Sequence, residues 1–171
     1  LSHIPVLLAE ADWTAICAGL TQRAELLEKV MADLYGPARL VRDGHLPPEI
    51  VARNPQWLRP MVGIKPQSGH FLHHLAFEIG RSPDGSWFVL GDRAQAPSGA
   101  GFALENRMAT TRIFSDLFPR ANVCRLAGFF RAFREAMVGL SGESGRRMAM
   151  LTPGPNHDTD YEHTYIARYL G

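Results

Sequence analysis

The stretch with the most chemical content is Trp87-Phe88-Val89-Leu90-Gly91-Asp92-Arg93-Ala94-Gln95-Ala96-Pro97-Ser98-Gly99-Ala100-Gly101. An apolar strand ends in Asp and Arg and then enters a Pro-Ser-Gly loop ahead of a helix. That order places charged side chains beside exposed backbone N–H groups, an arrangement that binds anions. The plainer reading is an ordinary glycine-rich turn. His70, His73 and His74 crowd a second segment. On a strand His70 and His74 share one face and His73 takes the other, so three metal ligands do not converge from this run alone. His157, Asp158, Asp160, Glu162 and His163 have the composition of a metal cluster without a standard ligand spacing. Acidic residues meeting the positive end of a helix dipole account for them more simply. No Ser-His-Asp elbow, Walker loop or GxGxxG fingerprint is present.

These groups need elements to hold them. Ile4 to Leu8 reads as a short extended segment. From Asp12, an expected N-cap, apolar residues recur at three- and four-residue steps through Trp13, Ile16, Leu20, Ala24, Leu27, Met31 and Leu34, which predicts a long amphipathic helix stopped by Gly36-Pro37. Prolines at 47, 48, 55 and 60 cut the next stretch into pieces, with one small helix expected near Pro48. Phe71–Gly80 and Ser86–Leu90, joined at Ser82-Pro83-Asp84-Gly85, carry the strand-turn-strand pattern of a β-hairpin. Helices are expected over about 102–118 and 123–140, with a flexible joint at 141–145. Met148 to Leu151 reads as a strand, followed by a turn at Thr152-Pro153-Gly154-Pro155 and a helix capped by Asp158 or Thr159 and running to Leu170. The fold class is therefore α/β: a small sheet with a hairpin flanked by helices, plus a Rossmann-like strand-loop-helix at the C-terminus.

Composition narrows the function classes. The 171 residues are 46% hydrophobic and 20% charged, the profile of one soluble domain or a single-core piece of a larger protein. Eighteen Lys and Arg against 17 Asp and Glu leave a net charge of +1, so no global field points to nucleic acid or to an anionic membrane. No apolar run approaches the roughly 18 residues of a membrane span. Only Cys17 and Cys124 occur, far apart, which supports neither a disulfide framework nor a paired-cysteine zinc site and suits a cytoplasmic protein. The first residue is Leu1 rather than Met, so the chain reads as a piece of a longer protein.

Several blocks in order carry a resemblance. They are Leu34-Tyr35-Gly36-Pro37, Asn54-Pro55 through Leu58-Arg59-Pro60, Pro83-Asp84-Gly85, Ala96-Pro97-Ser98-Gly99 with Leu104-Glu105-Asn106-Arg107, and Leu151-Thr152-Pro153-Gly154-Pro155 with Tyr161-Glu162-His163. Together they resemble the circularly permuted ATP-grasp proteins, bacterial relatives of glutathionylspermidine synthetase and other carboxylate-amine ligases. The match runs from about Pro5 to Gly171, as the N-terminal portion of a longer family protein.

The resemblance implies a ligase-like chemistry in which a carboxylate takes the γ-phosphoryl group of ATP and an amine attacks the acyl phosphate, with Mg2+ bridging the phosphates. It implies an acid on one strand, at Glu78, and a Glu-x-Asn pair at the end of the next, followed by a substrate-holding loop at Pro97, Ser98 and Gly99. The pair itself is degenerate: its positions hold Gly91 and Arg93, with Asp92 between. Glycine offers no ligand and arginine only donors. Asp92 is then the nearest substitute ligand beside Glu78, given a local bulge, and Arg93 a direct partner for phosphate or carboxylate. Residues 1–145 are expected to form part of the ATP-grasp region and 146–171 the start of a Rossmann-like subdomain. Expected partners are the remaining subdomains of the parent chain and small carboxylate and amine substrates. The isolated chain is expected to bind ATP and Mg2+ weakly at best. The alternative is a non-catalytic ligand-binding or scaffolding module with a degenerate metal site.

Overall fold

The computed structural model describes residues 4–140 and 148–171. The chain divides into two compact units, Leu8–Ala96 (the hairpin unit) and Pro97–Gly171 together with Leu1–Leu7 (the helical unit). The boundary expected between residues 145 and 146, and the joint at 141–145, lie outside the described residues.

The hairpin unit opens with α1, Glu10–Leu34. It begins two residues before Asp12, with Ala9 extended at its start and no side-chain cap. Asp12 and Glu10 instead fall in the first turn, where their charge meets the helix dipole. Gly36 ends the helix as its sequence implied, because a Cβ there would sit 2.6 Å from the Ala32 carbonyl oxygen. A short helix α2, Arg39–Arg42, follows unexpectedly. Asp33 nucleates it from the preceding helix by accepting the N–H groups of Arg39 and Leu40 at 3.0 and 2.9 Å. Helix α3, Pro48–Ala52, starts on a proline as anticipated. The Tyr35 ring lies tilted against Trp57 at 4.3 Å and stacks on Phe71 at 5.8 Å, and its hydroxyl accepts the Leu58 N–H.

Strands β1 (Ala76–Arg81) and β2 (Trp87–Arg93) pair antiparallel. Asp84 accepts both the N–H and the hydroxyl of Ser86 in the turn, which holds its carboxyl below the usual carboxylate range. The register sets Ala76 opposite Arg93, Phe77 opposite Asp92 and Glu78 opposite Gly91, then slips so that Ile79 faces Val89. Leu90 is the extra residue of this bulge. The first strand begins at Ala76 rather than Phe71. The N–H groups of Phe71 and Leu72 are spent on the two carboxylate oxygens of Glu28, each at 2.9 Å, and are not available to a ladder.

The helical unit contains α4 (Ala100–Ile113), α5 (Leu117–Ala121), α6 (Ala127–Leu140) and α7 (Asp160–Leu170). The single helix expected over 102–118 is two, because Phe114 leaves helical geometry. Leu104, Phe130 and Ile166 form the buried core, with Leu126, Phe133 and Tyr165 packed against it. Among the described residues β1 and β2 are the two strands present. Met148–Leu151 therefore does not form the strand expected of a Rossmann-like unit; no neighbouring strand among the described residues supplies the ladder bonds that an extended segment needs. No helix among the described residues is long and apolar enough to cross a membrane.

Candidate functional site

The sheet register decides which of the expected site residues meet. Side chains opposite one another, or two apart along a strand, share a face. Glu78, Gly91 and Arg93 therefore lie on one face, and Asp92 lies on the other with Phe77. On the first face the Arg93 guanidinium hydrogen-bonds the Glu78 carboxylate. Gly91 could carry a side chain beside that carboxylate, since a Cβ built on it would lie 3.6 Å from Glu78 Oε2, an ordinary contact.

On the opposite face Arg23 of α1 grips Asp92 through two parallel bonds, Nε to Oδ1 at 2.6 Å and Nη2 to Oδ2 at 2.7 Å. The hydrogen bond from Arg23, reinforced by its charge, holds the Asp92 carboxyl below the usual carboxylate range. A depressed folded-state pKa stabilises the fold above the unfolded value and ceases to do so as pH falls through the folded one. Asp92→Asn is thus expected to lower the melting temperature at pH 7, and the gap from wild type should close as pH falls below about 4. A gap that persists undiminished at pH 2 would assign the effect to packing instead.

A divalent cation does not fit these residues. It needs convergent oxygen ligands, whereas Glu78 is bonded to Arg93, Asp92 is bonded to Arg23 across the sheet, and Gly91 has no side chain. The bulge that would re-aim Asp92 exists, but it falls at Leu90. From Gly91 through Arg93 the strand alternates regularly. Among the described residues no group of three or more His, Cys, Asp and Glu is placed to hold a metal. His70 sits 3.9 Å from Glu28, and His73 Nε2 meets Ser68 Oγ at 3.3 Å. Those histidines lie in a loop pinned by Glu28 rather than on a strand.

Pro97, Ser98 and Gly99 belong to the helical unit, where they lead into α4. Of the donors expected to cradle an external anion, the Gly99 N–H is already engaged. Glu162 Oε1 accepts the N–H of Gly99 at 2.6 Å and of Gly101 at 3.0 Å. Glu162 is 1% exposed, and its other oxygen is buried without a partner among the described residues. Gly101 has no room for a side chain, since a Cβ would come within 2.8 Å of Glu162 Cγ. As expected, Asp160 and Glu162 fall in the first turn of α7, and the Glu162 carboxylate also meets the start of α4. Nearby, Phe102 stacks on Tyr161, and Arg107 bonds the Cys124 carbonyl at 2.8 Å. The Pro-Ser-Gly block and the Tyr161-Glu162-His163 block are thus two sides of one α4–α7 contact. Sequence reasoning missed Arg23, Glu28 and the long-range role of Glu162. The one signal for the last was the Gly99-x-Gly101 spacing ahead of a helix.

Comparison with known proteins accords with this arrangement of blocks. The family described as circularly permuted ATP-grasp type 2 matches residues 5–171. An uncharacterised protein of Synechocystis sp. is 34% identical over 170 residues, covering 98% of this chain and 35% of the relative. An uncharacterised protein of Mycobacterium tuberculosis is 34% identical over 173 residues, covering 100% of this chain and 20% of the relative. A second from the same organism is 31% identical over 175 residues, covering 100% and 31%. The chain spans about a third or less of these relatives. Its matched blocks run through both units, and the chain belongs to the circularly permuted ATP-grasp type 2 family.

Proposed function

We propose that the chain is one portion of a cytoplasmic ATP-dependent ligase that joins a small carboxylate to an amine through an acyl phosphate. The observation that carries this reading is the family match over residues 5–171. In this reading the chain supplies structure around the site, and ATP and Mg2+ are bound mainly by other subdomains of the longer protein.

The surface supports a role as a portion. Large apolar side chains remain uncovered in both units, among them Leu26, Leu90 and Ile113 at 58, 66 and 73% exposure. Such area is what neighbouring subdomains bury.

One observation favours a second reading, a non-catalytic ligand-binding or scaffolding module. Each of the two carboxylates expected near the metal is matched to its own arginine. Calorimetric titration of Mg-ATP into the full-length protein separates the readings. Binding in the micromolar range is expected for the ligase portion, and no heat of binding for the scaffold.

A further inference from the structure

The hairpin end carries a charge arrangement that differs from what an ATP-grasp metal site requires, and the difference is specific. Removing one ligand from a metal pair leaves a weaker site. Here one ligand position is empty at Gly91 and the other holds a fixed cation at Arg93, bonded directly to the remaining acid, Glu78. A guanidinium offers donors only and stays protonated at any ordinary pH, so it repels a divalent ion and saturates part of the carboxylate that would bind one.

We infer that Arg93 is the resident cation of this sheet end, so that the Glu78 face takes up no divalent metal in the full-length protein. The inference rests on the family reading, which supplies the expectation of a metal there. Its physical content is local. Glu78 is neutralised by one intramolecular charge. Asp92 cannot take over as a ligand, because the register turns it to the far face, where Arg23 holds it at 2.6 and 2.7 Å. An anion arriving at this face meets the N–H groups of Arg93 rather than a metal ion. Its binding is therefore weakened by salt and unaffected by chelators.

The geometry also says what would restore a metal site. A Cβ at Gly91 stands 3.6 Å from Glu78 Oε2 with no closer obstacle, so a glutamate there can bring a second carboxylate beside the first. Arg93→Asn removes the competing cation and supplies a carbonyl oxygen on the same face.

The test counts Mn2+ ions bound to the full-length protein by electron paramagnetic resonance. Wild type and Glu78→Gln are expected to bind the same number. The double variant Gly91→Glu/Arg93→Asn is expected to bind one more, and adding Glu78→Gln to it should return the count to the wild-type number. Loss of one ion on Glu78→Gln in the wild-type background would overturn the inference, as would a folded double variant that gains none. If the double variant does not fold, the comparison of wild type with Glu78→Gln still decides. A failure of the family reading is read separately, as absence of nucleotide binding by the full-length protein, and it leaves these ion counts unchanged.

Discussion

Glu162→Ala is expected to destabilise the helical unit by about 2–4 kcal/mol, the cost of leaving two backbone donors without an acceptor, less what is regained by removing a buried charge. Glu162 Oε1 serves both Gly99 and Gly101, and the second of these bonds is buried. Helix α4 loses the side-chain acceptor at that end, while the buried Oε2, without a partner among the described residues, disappears with it. Glu162→Gln retains a carbonyl oxygen for the same two N–H groups and is expected to cost less than about 1 kcal/mol. Urea unfolding followed by circular dichroism reads the difference, and hydrogen exchange should accelerate at the Gly99 and Gly101 amides in the alanine variant alone. Equal stability of the two variants would remove Glu162 from the role assigned to it.

Phe130→Ala carries a loss of about 3–5 kcal/mol. Phe130 is 2% exposed at the centre of the Leu104–Phe130–Ile166 core, with its ring edge-on to Tyr169 at 5.0 Å and to Phe129 at 5.2 Å. The helical unit has few other buried apolar side chains among its described residues, so this cavity removes a large share of its cohesion. Exchange protection in α4, α6 and α7 should fall together. Phe129→Ala, at a ring that is 47% exposed, is the matched control and should cost much less. A Phe130→Ala effect no larger than the control would contradict this core assignment.

What the sequence made legible was local. Helix α1 announced itself through apolar spacing, and the hairpin through Ser82-Pro83-Asp84-Gly85, whose Asp84 bonds Ser86 two residues on. The features that were not legible are held by partners far along the chain. Glu28 takes the Phe71 and Leu72 amides across 43 and 44 residues and so delays the first strand to Ala76. Arg23 reaches Asp92 across 69 residues. Glu162 reaches Gly99 across 63. Strand alternation was enough to foresee that Asp92 needs a bulge to join Glu78, but not that the bulge would fall at Leu90. Met148–Leu151 shows the converse limit: an apolar run has strand propensity, yet a strand exists only where another lies beside it.

The site shows the same division. The degenerate positions Gly91 and Arg93 were readable from their spacing relative to Pro97-Ser98-Gly99. The bond from Arg93 to Glu78 follows only once the register is known, because it requires Ala76 opposite Arg93 and Glu78 opposite Gly91. The Pro-Ser-Gly loop read as an anion cradle because its backbone donors precede a helix. Its Gly99 N–H is taken from within by Glu162, whose sequence position suggested a metal cluster or, more simply, an acidic residue at the start of its own helix.

The most direct measurement is calorimetric titration of Mg-ATP into the full-length protein and, in parallel, into the 171-residue chain. An ATP-grasp ligase whose nucleotide and metal are held mainly outside this portion predicts micromolar binding by the full-length protein and none in that range by the chain alone. Micromolar binding by the chain alone, or none by the full-length protein, would contradict the account.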